Sequence, residues 1–459
     1  MKRLPLSKQV AFSIGQLGWS LLSGIVVSYL VYFYQPTKEA SLPHYLPQTL
    51  VFGLFTIVGF ITAFERLFDA FVDPLVASFS DRSEHPQGRR IPFLKYSALP
   101  FALSTALVFY MPVNGVSWIN AAWLFTTLTI SYIGLSSYVT PFNALIPELG
   151  KTQKDRLNIS TFISLTFILG TAIAYTAPMI WEALTANGWD KVIAMQTTFT
   201  GLSVLAFICL LVPAFSIREK EYVDVTPDQS NAFTSLKKTF NNPHFRLFVA
   251  SDVSYWIALA LFQTGLPYYI KVLLKLPESM ITLLFVSMTA ASLLFYLPVN
   301  LLSKRIGKKK LINFAFVMFS ITFLLTFFVG EGFPLLSMRA QGYMLVISAA
   351  IPLAIFGILP QAVVADISQY DVLHTGENRE GMFFAARTFA YKIGQMASML
   401  LFTTFLTYGS DFQKDTGIRI TALAASVFCF VGLMVFLFYK ETIVNNEIHT
   451  REGAPYETL

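Results

Sequence analysis

The sequence predicts an all-α integral membrane protein with 12 transmembrane helices in two six-helix halves. Three observations carry this prediction: an apolar composition, apolar stretches of membrane-crossing length along the whole chain, and a weak likeness between its two halves. The 459 residues are 54% hydrophobic and 13% charged, with a mean hydropathy of +0.58. Soluble domains carry about 25% charged residues.

Crossing about 30 Å of hydrocarbon takes about 20 helical residues. Such stretches fall at approximately 10–34, 49–80, 93–113, 117–149, 157–184, 190–216, 244–273, 279–304, 311–330, 340–368, 380–409 and 417–439. The first is too long for a signal-peptide core and has no evident small-residue cleavage site, so it is expected to remain as a helix. No separate soluble domain fits. Cys209 and Cys429 lie inside predicted spans and are expected to pack as thiols, without a disulfide.

Orientation follows from the basic residues. With the N-terminus inside, the 33 Lys and Arg divide into 23 on the cytoplasmic side, 7 outside and 3 within spans, namely Arg66, Arg387 and Lys392. This bias places both termini in the cytoplasm. It also accounts for the net charge of +6, so the basic run "SKRIGKKK" at 303–310 reads as a cytoplasmic loop and calls for no nucleic acid.

The halves follow one plan. "DPLVASFSDRSEHPQGRRIPFLK" bridges spans two and three, and "LPVNLLSKRIGKKKLINF" bridges spans eight and nine, roughly 223 residues later. Each holds a proline, a polar turn and a basic cluster. "PFNALIPEL" (141–149) and "PQAVVADIS" (360–368) correspond at a similar offset. The expected division is a first half over 1–216, a cytoplasmic linker over 217–243, and a second half with a cytoplasmic tail over 244–459. Six plus six helices is the architecture of the major facilitator transporters, which bind substrate near the bilayer midplane.

Span two breaks its own apolar pattern with Glu65, Arg66, Asp69 and Asp73 in "FERLFDAFVDP". At 100° per residue the four share an arc of about 100°. Measured from Asp81, Asp73 lies about 12 Å and Asp69 about 18 Å inside, on either side of the midplane. Four ionised side chains facing lipid would cost about 10 kcal/mol, so this face is expected to meet a cavity or a protein partner. An Arg66 ion pair with Glu65 or Asp69 is the plainer reading, yet one arginine cannot neutralise several acids. In the second half the corresponding positions are approximately Leu293 and Leu297, so the fold itself does not demand acids there. In span eleven, Lys392 lies about 20 Å from Arg379, level with the acid pair. Arg387, about 12 Å in, is read either as facing the cavity or as snorkelling to the surface.

These residues resemble a known family. "IGQLG" in span one, "DAFVDP", "SDRSEHPQGRR", "PFNALIPEL" and "ADISQYDVLHTGENREG" leading to Lys392 are similar to the glycoside-pentoside-hexuronide:cation symporters, the melibiose-permease-like major facilitators. The resemblance spans nearly the whole chain. It implies a secondary active transporter in a cell membrane of bacterial inner-membrane type, acting as a monomer on a small organic solute, with Na⁺ or H⁺ as coupling ion and no cofactor. It makes Asp69, Asp73 and Ser136 the cation site, with the two aspartates ligating Na⁺ if sodium is the ion. Lys392, Arg66 and Glu65 become the charge-coupling groups. Val72 stands where the melibiose-type proteins have an amide, which weakens the case for a cation that wants several oxygens. The sugar-contacting positions of that branch read Ser20, Val139 and Asn143 here, beside Trp19, and with Arg387 these are the expected substrate residues. Two carboxylates that would accept sugar hydroxyls are absent at them, so melibiose is not the expected substrate. A sugar or glycoside is the first expectation. The alternative is a lysolipid or other amphiphile, which the 44 Phe would suit.

An enzyme is not expected. His44, His85, His244, His374 and His449 fall in loops or near span ends without metal-ligand spacing, and neither a Walker loop nor a GxSxG elbow occurs.

Overall fold

The computed structural model describes residues 3–150, 153–223, 238–330, 336–376, 380–444 and 447. The first half contributes α1 (Leu6–Tyr34), α2 (Ile57–Asp81), α3 (Ile91–Leu107), α4 (Trp118–Leu149), α5 (Gln153–Ala174), α6 (Ala177–Ala186) and α7 (Lys191–Ser216). A short α8 (Glu219–Tyr222) follows. The second contributes α9 (Pro243–Tyr268), α10 (Ser279–Ile306), α11 (Lys308–Phe328), α12 (Met338–Thr375), α13 (Glu380–Leu406) and α14 (Thr416–Leu437). With α5 and α6 read as one crossing, the described residues hold 12 long passages. Eight are long and apolar enough to cross a membrane on composition alone. The other four are α2, α3, α4 and α13: α3 has 17 residues, and α2 and α13 carry the intramembrane charges.

Helix starts follow local capping chemistry. Thr56, Ser117 and Ser337 each accept from a backbone N–H of the first turn of α2, α4 and α12, and Asp190 accepts two at the start of α7. Gly376 closes α12 with a left-handed φ of 70°. Prolines inside helices, such as Pro74, Pro141 and Pro298, are tolerated as in membrane helices generally. The thiols of Cys209 and Cys429 are free.

Two compact units result. One comprises Met1–Gln229 with Leu266–Lys271 and Pro277–Leu283; the other comprises Ser230–Gly265, Val272–Leu276 and Leu284–Leu459. In the first, α1 packs between α5 and α7, while α4 packs on α2 and α3. In the second, α11 packs on α12 and α14. Large apolar side chains such as Phe79, Phe215 and Leu294 point outward at 66%, 69% and 78% exposure, the arrangement that a lipid solvent rewards. Leu293 and Leu297 are on this outer surface too.

One capping device occurs in both units. The Glu219 carboxylate accepts from the backbone N–H of Arg89 (3.0 Å), Arg90 (2.8 Å) and Ile91 (2.9 Å), closing the N-terminus of α3. In the second unit the Glu441 carboxylate accepts from Lys308 (2.8 Å) and Lys309 (3.0 Å) at the start of α11. A negative charge on unsatisfied N–H groups matches the helix dipole. Gly88 and Gly307 precede these starts with φ of 123° and 88°, and an added Cβ would lie 2.3 Å and 2.9 Å from the respective carboxylate. The linker expected from residue 217 therefore begins docked, with Ile217, Glu219 and Tyr222 all buried. Its central part, 224–237, lies outside the described residues.

The second unit contains a buried ion pair. Arg387 of α13 places Nε 2.8 Å and Nη2 3.0 Å from the two carboxylate oxygens of Asp252 in α9, and both residues are buried. Next to Arg387's turn, Tyr391 stacks on Trp256 with ring centroids 4.7 Å apart. Arg387 does not reach for the surface.

Two stability predictions follow. Glu219→Ala and Gly88→Ala should each cost about 1–3 kcal/mol, seen as a lowered Tm in detergent, because each strands buried N–H groups. Because the two share one contact, the double variant should fall short of the sum. Asp252→Asn leaves a buried guanidinium without its countercharge and should cost about 3–5 kcal/mol, whereas Asp252→Leu with Arg387→Met should recover most of that loss.

Candidate functional site

The polar face of α2 is met by hydroxyls of α4. Glu65 and Asp69 are 0% and 1% exposed, and Asp73, one turn further, is half-buried. Thr129 donates to Glu65 Oε1 at 2.6 Å. Ser136 Oγ lies 2.6 Å from Asp69 Oδ1 and 2.7 Å from Asp73 Oδ1, and Thr140 Oγ1 donates to Asp73 Oδ1 at 3.2 Å. The acids at 65, 69 and 73 and the hydroxyls at 129, 136 and 140 are spaced by whole helical turns. Two packed helices therefore bring them together along one seam.

The Ser136 contacts have a chemical consequence. A serine hydroxyl has one hydrogen and can donate it to only one acceptor. Both carboxylate oxygens stand at hydrogen-bond distance from that oxygen, so only one of them takes its hydrogen at a time. Asp69 Oδ1, Asp73 Oδ1, Ser136 Oγ and Thr140 Oγ1 are all oxygen donors, the type a hard cation takes. Thr140 was not anticipated from sequence. Its place, one turn beyond Ser136, was the signal available.

Arg66 points elsewhere. Its guanidinium lies 5.1 Å from the centroid of the Tyr132 ring, a cation–π arrangement, and lines a small cavity with Ser23, Val26, Phe101 and Ser131. Arg66 Nε has no hydrogen-bond partner. Glu65 is held by Thr129. Lys392 belongs to the second unit and is 9% exposed.

The expected substrate residues stand on three helices, α1, α4 and α13. Ser20 is buried and donates to Leu17 O, and a Cβ on Gly170 of α5 would lie 2.1 Å from its Oγ, so Ser20 sits at a tight helix crossing. Trp19 tilts against Phe167 of α5 at 6.0 Å. Packing between α1 and α5 thus occupies both. Val139 is half-buried and Asn143 exposed on α4, one turn apart. Arg387 is engaged by Asp252, an acid inside α9 that sequence reasoning passed over, although it stood in an apolar span as plainly as Asp69.

The comparisons agree with this architecture. The family described as MFS/sugar transport protein matches residues 11–442. The uncharacterized symporter YnaJ of Bacillus subtilis is 25% identical, over 86% of this chain and 81% of that protein. The isoprimeverose transporter of Lactiplantibacillus pentosus is 23% identical, over 67% of this chain and 61% of its own length. Among solved structures, the nucleoside transporter NupG superposes with a TM-score of 0.62 at 13% identity, covering 94% of this chain and 100% of that one. Helices, halves and family match together identify the chain: it belongs to the MFS/sugar transport protein family, as a major facilitator of the glycoside-pentoside-hexuronide symporter type and not an enzyme.

Proposed function

We propose that this symporter couples the entry of H⁺ or Na⁺ to the movement of a sugar or glycoside, and that Asp69, Asp73 and Ser136, joined by Thr140, are the cation site. The observation that carries the proposal is the single Ser136 hydroxyl shared by two carboxylates. Two carboxylates brought to one hydroxyl, with Thr140 beside them, form a group of hard oxygen donors that a proton or a cation can enter. A cation that completes it changes how α2 sits on α4, which is how binding biases one access state over another. The sugar class is supported by the family and by the relative named for isoprimeverose. Val139 and Asn143, on α4 next to Thr140, are the substrate contacts we favour. The membrane is a bacterial cell membrane, with both termini cytoplasmic on the basic-residue bias.

Energetically, one charge moving through the full membrane potential supplies about 2.3 kcal/mol per 100 mV, close to fifty-fold accumulation of a neutral solute.

The test is uptake of a glycoside panel into proteoliposomes under an imposed H⁺ or Na⁺ gradient. Asp73→Asn and Asp69→Asn should abolish gradient-driven accumulation and leave substrate exchange at equal concentrations partly intact. Ser136→Ala should weaken the cation response about tenfold, the value of one hydrogen bond to a charged group. Normal accumulation by Asp73→Asn would move the cation site elsewhere. For orientation, Lys220→Cys should resist an impermeant maleimide added outside intact cells; rapid labelling would invert the topology.

A further inference from the structure

Near the end of α1 opposite the N-terminus lies another buried acid, Glu278, distant in sequence from the acids of α2. There α9 passes into a π-helical turn, Tyr269–Leu273, and Lys275 takes a positive φ of 53° before α10 begins at Ser279. Both are irregularities of the kind that collect at functional positions. Residues Leu266–Lys271 and Pro277–Leu283 are part of the first compact unit, although the repeat assigns them to the second sequence half.

Polar contacts hold them there. Glu278 is 3% exposed. Its Oε1 accepts from the Tyr32 hydroxyl at 2.8 Å and from the Lys191 ammonium at 2.6 Å, and its Oε2 accepts from the Trp181 indole at 2.6 Å. Lys271 Nζ stands 3.8 Å from the same Oε1. Around this carboxylate, Ser279 N donates to Glu182 Oε2, Thr282 donates to Tyr175 O at 2.6 Å, and Tyr268 donates to Gln35 O at 2.8 Å. Burial by itself would raise the Glu278 carboxyl, but Lys191 and the hydrogen bonds from Lys191, Trp181 and Tyr32 outweigh it and hold the group below its ordinary value.

The donors and the acceptor come from different sequence halves. Tyr32, Trp181 and Lys191 precede residue 217, while Glu278 and Lys271 follow residue 243. A transporter that alternates access must part such attachments at one end in half of its cycle. An apolar seam gives up free energy gradually with area as it opens. A carboxylate held by several donors behaves otherwise, because water replaces all its partners once the segment lifts. It has two discrete states, which is what a switching element requires. We propose that Glu278 is a latch of the transport cycle, closed on Tyr32, Trp181 and Lys191 in one access state and released in the other. The proposal rests on the symport reading.

The test uses the full chain with Cys209 and Cys429 replaced by alanine and one thiol placed at Ser28, which is 1% exposed and one turn from Tyr32 on α1. Right-side-out membrane vesicles are treated with an impermeant maleimide. Glu278→Gln should raise the labelling rate about fivefold or more by shifting population toward the released state. Lys191→Glu should do the same, and Lys191→Glu combined with Glu278→Lys should return labelling toward the parent rate. A merely structural ion pair would lower Tm and yield while folded protein labels at the parent rate; that result overturns the latch. Should Glu278→Gln fail to accumulate, Trp181→Phe removes one donor and keeps a ring, and an unchanged labelling rate in that variant overturns it equally. Asp73→Asn in the same background reports ion dependence separately, so a failure of the cation site is distinguishable from a failure of the latch.

Discussion

A charge inside hydrocarbon must be met, and much of this structure can be read as the ways it is met. An unmatched ionised side chain at mid-membrane costs roughly 2.5–3.5 kcal/mol, and a domain's whole stability is only about 5–15 kcal/mol. α2 carries four such groups within nine residues. The response lies in α4, where Thr129, Ser136 and Thr140 present hydroxyls at the heights of the acids, and in Tyr132, whose ring takes the guanidinium of Arg66. Because those hydroxyls sit on one helix at turn spacing, α4 can satisfy α2 only in one rotation and one register. The polar seam therefore fixes the helix pair more narrowly than the apolar contacts around it, since these are non-directional.

Duplication supplies the frame on which this is built. Glu219 and Glu441, about 222 residues apart, do the same work at the starts of α3 and α11, each with a left-handed glycine before it. Such a cap must persist through duplication, because the first N–H groups of a helix need acceptors wherever the helix begins. A pair of acids in the middle of a helix is under no such requirement. Accordingly Leu293 and Leu297 stand near the corresponding positions of α10 and face outward. What the halves share serves the fold; the acid pair they do not share is the cation site proposed above.

This distinction also explains what was legible in the sequence. The crossings were, because about 20 apolar residues can be little else, and so was the paired-acid face, because charge in an apolar run is conspicuous. Ser136 came from family resemblance, and its contact with both aspartates from geometry. Asp252 has no nearby base in sequence; Arg387 lies 135 residues away, and only packing joins them. Glu278 had no sequence signal of its own, since burial of a loop residue leaves no periodic trace. Ser20 and Trp19, placed by family likeness, stand against Gly170 and Phe167 of α5. Resemblance transfers the place of a residue in the chain, but which way it faces depends on the size of its neighbours.

The two intramembrane acid sites differ in a way that bears on coupling. Asp252 with Arg387 is a bidentate pair, neutral in itself, with both carboxylate oxygens occupied by guanidinium nitrogens. Adding a cation there would bring like charge against Arg387 and displace a bond already made. Asp69 and Asp73 are joined by a hydroxyl, which contributes one hydrogen and no charge. On the proposed reading, a proton or a cation there lowers the repulsion between neighbouring carboxylates, the usual reason that paired acids retain positive charge. The same physical rule, that buried charge must be balanced, makes Asp252 with Arg387 a brace, while Asp69 and Asp73 are the pair we propose as the cation site. On that reading energy enters the transport cycle at the second group, where the packing of α2 on α4 depends on whether the site is filled.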